Sequence, residues 1–345
     1  MIYSMTKSYG WTRYVVVQGF AMLLGIAAFV VFTVIDPDLI AYKWVYLTIF
    51  NVLFIVGLIF FGKGDEVGSR AWYRFAGIGV QPSEIVKVIF IVLLAKQVSN
   101  YKEQRTLNKF PSIIKLGLHW FLYFALIAVI PNDLGSALIF LAIFVIMLIC
   151  AGIAWYWMAA VAAMVPLFWN FLLKDYQKKR ILAPYIPDVV DPTGQGITWQ
   201  TNHCKDALAS GRWTGVGFGE GSFAQSSYNA RHTDCIFASI GEELGMIACI
   251  AIIVLLSIII IRCCVIGLRS GSPFGMLICF GVAAALAFQT FVNIGMCIGI
   301  TPVVGITLPF FSYGGSSIVA MYAAVGLVSG VKYRPKPRQN FLQYQ

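Results

Sequence analysis

The sequence carries little charge. Only 12% of its 345 residues are Asp, Glu, Lys or Arg, about half the charged share of a soluble domain. Hydrophobic residues make up 59% of the chain, which is more apolar surface than one water-exposed domain can bury. The composition therefore excludes an ordinary soluble enzyme and indicates a polytopic membrane protein.

Signatures of metal hydrolases and nucleotide hydrolases are also missing. The chain has three histidines and no H-E-x-x-H, C-x-x-C or Walker lysine motif, so we expect neither a zinc hydrolase nor an ATPase. The net charge of +10 does not indicate nucleic acid as a partner. The basic residues cluster at the ends of apolar runs, where they act as topology signals.

Long apolar runs occupy most of the chain. Backbone polar groups must be satisfied internally within lipid, so each run is predicted to be a helix. The predicted fold is an all-α polytopic membrane helix bundle with one large extracytoplasmic loop, 174–234, in a single domain over residues 1–345. Nine membrane helices are predicted, at 13–34, 43–61, 82–99, 113–130, 133–151, 155–173, 235–262, 273–299 and 311–331.

The short connections between these runs indicate the orientation. The connection 96–115 holds five basic residues and one acid, and the C-terminal tail is also basic. The connections 130–134 and 300–310 hold no basic residue. The positive-inside rule then predicts a cytoplasmic C-terminus, with 62–81 and 174–234 facing outward.

The segment 174–234 is the one long run too polar to lie inside a bilayer. It ends in Asp234, directly before an apolar helical run. One interpretation of Asp234 is an N-cap residue, and the other is a functional acid at the mouth of a helix. The glycine ladder 211–221 lacks the strand-then-helix context of a dinucleotide loop, so it is interpreted as flexible or re-entrant backbone. Glu242 and Glu243 are either internal polar contacts or part of a cation pathway.

Ionisable residues inside predicted membrane helices are functional candidates, because burying charge in lipid is costly. Glu84 and Lys87 are three residues apart and share a helix face. They form either an ion pair or a buried cation that faces an anionic substrate group, and the sequence leaves both open. Asp133 is predicted to cap the following helix. Asn293 is predicted to hydrogen-bond between helices.

The eight cysteines show no metal-ligand spacing. Most lie in apolar runs, so we expect free thiols packed as small hydrophobic side chains. A pairing of Cys204 with Cys235 near the long loop is the alternative.

Seven stretches in this order resemble the SEDS family (shape, elongation, division and sporulation), typified by RodA and FtsW. Each is a weak signal alone, but together they extend over nearly the whole chain. The stretches are Gly68-Ser69-Arg70-Ala71-Trp72, Gln81-Pro82-Ser83-Glu84-Ile85-Val86-Lys87, Asn132-Asp133-Leu134-Gly135, Arg231-His232-Thr233-Asp234-Cys235-Ile236-Phe237 with Gly241-Glu242-Glu243-Leu244-Gly245, Val292-Asn293-Ile294-Gly295-Met296, 302–309 and Ser312-Tyr313-Gly314-Gly315-Ser316.

The resemblance implies a peptidoglycan glycosyltransferase that polymerises lipid II at the outer face of the bacterial plasma membrane. It implies as partners lipid II, the glycan linked to undecaprenyl pyrophosphate, a class B penicillin-binding transpeptidase and other elongation or division machinery. The family's essential loop aspartate matches Asp234, its outer-loop tryptophan matches Trp72, and its Pro-Ser-Glu segment supplies Glu84 and Lys87.

The chemistry of that reaction assigns roles to further residues. Asp234 is the expected general base for the attacking sugar hydroxyl. Positive groups are expected to stabilise the pyrophosphate leaving group, and a divalent cation, Mg²⁺ or Mn²⁺, is compatible with the same role. The expected substrate-binding residues are Trp72, Arg74, Glu84, Lys87, Arg231 and His232.

Two other functions fit a membrane bundle of this kind. A lipid II flippase or transporter would need the buried Glu84 and Lys87 but no base at Asp234. A non-catalytic scaffold for the transpeptidase would need neither. The sequence also departs from the family pattern. Family members usually have ten membrane helices, which suggests a truncated or misassigned start, and Cys235 stands where phenylalanine is usual.

Overall fold

The computed structural model describes residues 2–6, 11–63, 70–75, 78–171, 173, 175–226 and 228–333, and these are almost entirely helical. All nine predicted runs are helical over most of their length. The helices are α1 Ile2–Thr6, α2 Trp11–Val34, α3 Pro37–Tyr42, α4 Trp44–Val56, α5 Leu58–Phe61, α6 Pro82–Glu103, α7 Phe110–Val129, α8 Leu134–Ala151, α9 Trp155–Phe171, α10 Asp175–Leu182, α11 Pro187–Val190, α12 Trp199–Gly211, α13 Ser222–Gln225, α14 Ile236–Arg269, α15 Pro273–Ile298 and α16 Gly315–Tyr333.

Seven helices in the described part of the chain are long and apolar enough to cross a membrane, against nine predicted. The two that fall short are α6, which carries Glu84, Lys87 and Lys96, and α9, which has 17 residues. The seven are Arg13–Val34, Trp44–Phe61, Phe110–Val129, Leu134–Ala151, Ile236–Arg269, Pro273–Ile298 and Gly315–Tyr333.

Three predicted boundaries need correction. The basic connection 96–115 is only six residues long, 104–109, because α6 continues to Glu103 and α7 begins at Phe110. The last helix begins at Gly315 rather than at residue 311. The run predicted at 235–262 extends to Arg269 and is broken at Gly245, where φ is 79° and ψ is −179°. Glycine is the residue that adopts this conformation readily.

The chain packs as two compact units. Unit 1 comprises residues 1–18, 154–257 and 289–313, and unit 2 comprises residues 19–153, 258–288 and 314–345. The single domain over residues 1–345 stays a prediction.

Unit 2 is built on α6, which packs against α3, α4, α7, α8 and α16. Its apolar side chains are buried on every face, as Phe90 at 0% exposure illustrates. A short antiparallel hairpin, β1 Tyr73–Phe75 and β2 Ile78–Val80, directly precedes it, with Tyr73 opposite Val80. Pro82 occupies the first turn of α6, where its missing N–H has no intrahelical partner to lose.

Unit 1 contains the long polar segment, which is partly helical. The helix α12 lies inside it, and a 3₁₀ turn, Asn229–His232, leads to α14. The apolar core of this unit includes Met5, Phe223, Phe237 and Leu308, which are buried together. The segment predicted as one loop therefore contributes side chains to the core of unit 1.

Candidate functional site

Asp234 lies between the 3₁₀ turn and α14. The carbonyl of Cys235 accepts a bond from the Ser239 amide at 3.2 Å, which makes Cys235 the N-cap residue by the position of the first intrahelical bond. Asp234 is one residue earlier in the chain and is partly exposed. The interpretation of Asp234 as the N-cap residue is therefore wrong, because Cys235 occupies that position.

The backbone around Asp234 is fixed by side chains that are far away in sequence. Asn293 Nδ2 donates to the Asp234 carbonyl at 2.8 Å and to the Ile306 carbonyl at 2.6 Å. Ser312 Oγ donates to the Thr233 carbonyl at 2.6 Å. Asn293 is buried at 0% exposure, so these bonds are shielded from water. They hold residues 233–234 against the segment 306–312.

The carboxylate of Asp234 lies close to Gly305. A Cβ added to Gly305 would lie 3.6 Å from Asp234 Oδ2, and the φ of Gly305 is +68°. Side chains rarely adopt this backbone conformation. Gly305 therefore keeps the backbone close to the acid without filling the space beside it.

Arg231 is buried, at 4% exposure. Its guanidinium donates to the Tyr228 carbonyl at 2.9 Å and to the Met5 carbonyl at 3.0 Å. In this arrangement Arg231 supports the turn that leads to Asp234 and ties that turn to the N-terminal helix α1. Its binding of substrate stays a prediction.

His232 lies between two tyrosines. Its ring makes edge contacts with Tyr14 and Tyr313, each with centroids 5.4 Å apart, and its carbonyl accepts from the Tyr313 amide at 2.8 Å. Burial, and to a smaller extent the Arg231 charge, together lower the pKa of His232 to about 4. His232 is therefore neutral at pH 7 and can act toward a substrate only as a neutral hydrogen-bonding group.

The break in α14 is filled by the glycine ladder. At Gly245 the helix loses its regular backbone hydrogen bonds, and the glycine ladder replaces them. Two amides of the helix donate to carbonyls of the ladder segment, Met246 N to Arg212 O at 2.8 Å and Ile247 N to Trp213 O at 3.3 Å. Two amides of the ladder donate to carbonyls of the helix, Val216 N to Glu242 O at 2.9 Å and Gly217 N to Glu243 O at 3.2 Å. Irregular backbone at membrane depth is tolerated where protein satisfies it in this way. Re-entrance of this backbone into the membrane stays a prediction.

Glu242 and Glu243 are both used within unit 1. Glu242 accepts bonds from the amides of Phe223 and Ala224 at 3.0 and 2.9 Å, which caps the short helix α13. Glu243 accepts from Ser4 Oγ at 2.6 and 2.7 Å. Each acid is 1% exposed. This geometry is that of internal polar contacts, the first of the two sequence interpretations.

In unit 2, Glu84 and Lys87 form the predicted ion pair. Lys87 Nζ lies 2.9 Å from Glu84 Oε2, and the two residues are 1% and 4% exposed. The spacing of three residues places both on one face of α6, as expected. Whether Lys87 also meets an anionic substrate group stays a prediction.

Asp133 caps α8, as predicted. Its Oδ1 accepts from the Ser136 amide at 2.9 Å, and its Oδ2 accepts from Gln81 Nε2 at 3.0 Å. The backbone N–H of Gln81 donates to Ser316 Oγ at 3.0 Å. A polar network therefore surrounds the start of α6, roughly one and a half turns before Lys87.

Trp72 and Arg74 lie at the start of the hairpin. Trp72 directly precedes β1 and forms a bridge with Lys63. It is half-buried, and its ring lies over Gly79, where an added Cβ would be 3.1 Å from Trp72 Cε3. Arg74 is exposed and pairs with Gly79 in the hairpin register. The motif residues Gly68 and Ser69 lie outside the described residues.

The structure thus groups the predicted residues in two places. Arg231, His232 and Asp234 are consecutive parts of one turn in unit 1. The other four belong to unit 2, with Glu84 paired to Lys87, Arg74 on the hairpin and Trp72 directly before it. Sequence reasoning missed Ser4, Met5, Gly305 and Ser312 as supports of the unit 1 turn. Asn293 gave a signal as a polar residue inside an apolar run, and Gly305 and Ser312 lie in stretches that resemble the SEDS family, but none of these signals pointed to the turn.

No group of three or more His, Cys, Asp or Glu side chains in the described part of the chain could hold a metal ion. Mg²⁺ commonly takes one or two carboxylates and completes its shell with water and substrate phosphates. Asp234 is one carboxylate of that kind. Binding of Mg²⁺ or Mn²⁺ by this carboxylate stays a prediction.

Comparisons with known proteins agree with this architecture. A family model described as cell cycle protein, FtsW/RodA/SpoVE, matches residues 1–336. The chain is 33% identical over 337 residues to a protein of Geobacter metallireducens named probable peptidoglycan glycosyltransferase FtsW, covering 92% of this chain and 84% of that protein. It is 31% identical over 315 residues to the peptidoglycan glycosyltransferase MrdB of Escherichia coli K12, covering 89% and 82%.

Two solved structures are similar in fold. One belongs to work on the structural coordination of polymerisation and crosslinking by a peptidoglycan synthase complex. It has a TM-score of 0.79 and 26% identity, and the match covers 96% of this chain and 93% of that chain. The other is the rod shape determining protein RodA of Thermus thermophilus, with a TM-score of 0.67, 23% identity and coverage of 92% and 87%.

Proposed function

We propose that this chain, which belongs to the FtsW/RodA/SpoVE family of cell cycle proteins, polymerises lipid II with Asp234 as its base. Relatives named as peptidoglycan glycosyltransferases cover most of the chain, and the chain is accordingly a peptidoglycan glycosyltransferase. Our proposal concerns the lipid II substrate, the roles of individual residues and the membrane topology.

The reaction joins two lipid-linked sugars. The 4-hydroxyl of the incoming N-acetylglucosamine attacks the anomeric carbon of the chain-end N-acetylmuramic acid, and polyprenyl pyrophosphate leaves. Asp234 accepts the proton of that hydroxyl. The single observation that carries this role is the partly exposed acid on a backbone fixed by Asn293 and Ser312. A base that is held in place gives a faster reaction than a mobile one, because its orientation toward the substrate is already set.

Charge stabilisation of the leaving group is the second requirement. The pyrophosphate carries at least two negative charges, so nearby cations lower the barrier. Arg231, in the turn that leads to Asp234, is the candidate cation of unit 1, and His232 contributes as a neutral donor. Lys87 and Arg74 remain predicted substrate-binding residues of unit 2. A divalent cation, when bound, would supply further positive charge to the pyrophosphate, and Asp234 is the residue of this chain suited to ligate it.

The cellular setting follows from the same family. The chain is a multi-pass membrane protein. We place it in the bacterial plasma membrane with a cytoplasmic C-terminus, because the basic connections then lie inside. A relative in fold comes from a peptidoglycan synthase complex that coordinates polymerisation and crosslinking. That relationship supports a class B penicillin-binding transpeptidase as the partner.

The test is lipid II polymerisation by purified protein, with and without its transpeptidase, comparing wild type with Asp234→Asn. Loss of a general base lowers the rate by about 100- to 10,000-fold. Asp206→Asn is the matched control, because Asp206 is an exposed aspartate of the same unit on α12, and it should keep the wild-type rate.

The same preparation distinguishes the other functions. A flippase would move labelled lipid II across vesicles with Asp234→Asn as fast as with wild type, and would make no polymer. A scaffold would leave polymerisation to its partner in both variants. If Asp234→Asn made polymer at the wild-type rate, Asp234 would not be the general base.

A further inference from the structure

The short connection between α6 and α7 borders a cavity in unit 2. The cavity has a volume of about 440 Å³, and its lining comes from the end of α6, the connection 104–109 and the end of α8. A Cβ added to Gly152, directly after α8, would have no atom within 4 Å, so the space beside it is open. None of the predicted site residues lines this cavity. It is therefore a possible binding site separate from the one already described.

Three of the side chains that line the cavity are basic, Lys102, Arg105 and Lys109, and none is acidic. Within the described part of the chain, none of the three forms an ion pair. Glu103, the neighbouring acid, instead accepts from Ser99 Oγ at 3.3 Å. The positive-inside rule accounts for basic residues in this connection, but not for their grouping around one cavity. Three positive charges around one space repel one another, so the cavity favours an anion.

The first turn of α7 favours negative charge at the same place. Lys109, which lines the cavity, is also the N-cap residue of α7 and makes no side-chain cap hydrogen bond. The N-terminus of a helix carries partial positive charge on its first amides, and phosphate groups bind there. A helix end and three cations are two independent features that select the same kind of ligand.

The backbone of the connection is held in place before any ligand binds. The Thr106 N–H donates to the Tyr101 carbonyl at 2.8 Å, and the Lys109 N–H donates to the Thr106 carbonyl at 3.0 Å. Leu107 is 6% exposed and anchors the middle of the connection. Binding to a backbone that is already ordered costs less conformational entropy than binding to a mobile loop.

The cavity lies where two candidate membrane spans end, because Phe110–Val129 begins beside it and Leu134–Ala151 ends beside it. It is therefore at the level of the lipid headgroups, on whichever side of the membrane it faces. Apolar side chains next to it are exposed: Phe110 at 64% and Ile114 at 43% on α7, and Ile149 at 56% on α8. Acyl chains can pack along these side chains, so the surroundings favour a phosphate that is attached to a lipid.

We propose that this cavity binds the headgroup of an anionic phospholipid, with a phosphate at the start of α7 among Lys102, Arg105 and Lys109. Basic pockets between membrane helices recognise headgroups with more than one phosphate, such as that of cardiolipin. Cardiolipin carries two phosphodiesters and phosphatidylglycerol carries one, so cardiolipin should bind more tightly. Phosphatidylcholine has no net charge and should bind most weakly. This site does not depend on the proposed polymerase activity.

The first experiment identifies the ligand. Full-length protein in detergent is titrated separately with cardiolipin, phosphatidylglycerol and phosphatidylcholine, and bound lipid is counted by native mass spectrometry. We expect affinity to fall in that order. Excess inorganic phosphate, compared with chloride at the same ionic strength, should displace little cardiolipin because it makes no acyl contacts. Equal binding of the three lipids would overturn the proposal, and full displacement by phosphate would show that the cavity takes free phosphate instead.

The second experiment locates the site. Lys102→Gln/Arg105→Gln/Lys109→Gln should weaken cardiolipin binding about 100-fold, since each basic residue near an anionic headgroup contributes roughly fivefold. That variant also removes topology signals, so a second variant keeps them. Asn108→Glu adds a negative charge to the lining, and acids contribute little to orientation. It should bind cardiolipin about fivefold more weakly. Gln195→Glu, at an exposed position in unit 1, makes the same change in net charge and should bind like wild type.

The variants decide the assignment of the site. If Asn108→Glu bound cardiolipin as tightly as wild type, the cavity would not be the binding site. If Gln195→Glu lost as much affinity as Asn108→Glu, the effect would be one of net charge, and the proposal would also fail. Wild-type protein that binds cardiolipin in the expected order but makes no polymer would support this site and count against the proposed function.

Discussion

The two acids that the sequence singles out are held in opposite ways. In unit 2, Glu84 is paired with Lys87 on one continuous helix, so the charge of each side chain is balanced by the other. In unit 1, the structure fixes the backbone beside Asp234, through Asn293 and Ser312, next to a helix broken at Gly245. The carboxylate of Glu84 is buried, and Asp234 is partly exposed.

This difference separates two kinds of role. An acid that neutralises a buried cation is part of the packing, because removing either charge leaves the other unpaired. An acid whose main chain is fixed while its side chain stays partly exposed is suited to take a proton from a substrate. Unit 2 should therefore respond to mutation mainly in stability, and the Asp234 turn mainly in rate.

The largest expected loss of stability comes from breaking the buried pair. Lys87→Met should destabilise the protein by about 3 to 5 kcal/mol, since it leaves Glu84 buried and unpaired. Unfolding of the detergent-solubilised protein in mixed micelles measures this. The double variant Glu84→Gln/Lys87→Met should recover most of the loss, and a double variant as unstable as Lys87→Met would show that the pair does not act as a unit.

A smaller loss of stability is expected from a substitution at the break in α14. Gly245→Ala should cost about 2 to 3 kcal/mol, because its φ of 79° disfavours a side chain and a Cβ would run into the Trp213 carbonyl. The same unfolding measurement applies. Gly117→Ala on the regular helix α7, where no atom lies within 4 Å of the added Cβ, should be neutral or stabilise by up to about 1 kcal/mol. Equal costs at the two glycines would contradict the role of the break.

Asn293→Leu tests the backbone support of Asp234. It leaves the Asp234 and Ile306 carbonyls without this donor, at a cost of about 1 to 3 kcal/mol. Because the base loses its orientation, kcat should fall about 10- to 100-fold while KM changes little. Lipid II polymerisation kinetics and unfolding measure both effects. Thr290→Val, which removes a buried hydroxyl of α15 that has no hydrogen-bond partner, is the control, and a matching loss of kcat there would argue for a general defect of α15.

The smallest effect concerns pH. The pKa of His232 is about 4 in the folded protein against about 6.5 unfolded. The unfolded state therefore binds more protons between these values, so stability is complete above pH 6.5 and falls as the pH drops toward 4. Between pH 7 and pH 5 the loss should be about 1 to 2 kcal/mol for this group. His232→Gln should flatten that part of the unfolding profile, and an unchanged profile would show that His232 is not buried in its neutral form.

Local features of the sequence predicted much of the fold. The apolar runs predicted the helices because a lipid-buried backbone has no other way to satisfy its polar groups. The spacing of Glu84 and Lys87 predicted that they share a helix face and offered an ion pair as one of two interpretations, and Asp133 before an apolar run predicted a cap. Each of these interactions is made between residues within a few positions of one another, so the chain itself displays them.

The functional turn could be predicted only in part. Asp234 stood out from its position before an apolar run and from the family resemblance. That Asn293 and Ser312 support this turn was not predicted, because both are distant from it in sequence, and Ser4 and Met5 lie in a stretch without any pattern. The break at Gly245 was missed for a related reason, since its missing helical bonds are replaced by the separate ladder segment.

The sequence by itself determined that this is a helical membrane protein of the FtsW/RodA/SpoVE family, and it determined which acid to examine. Only the tertiary structure decided how that acid is held and that Glu242 and Glu243 are internal contacts. The physical reason is the range of the interactions. Helix formation and capping depend on neighbours along the chain, whereas buried hydrogen bonds depend on segments that only folding brings together.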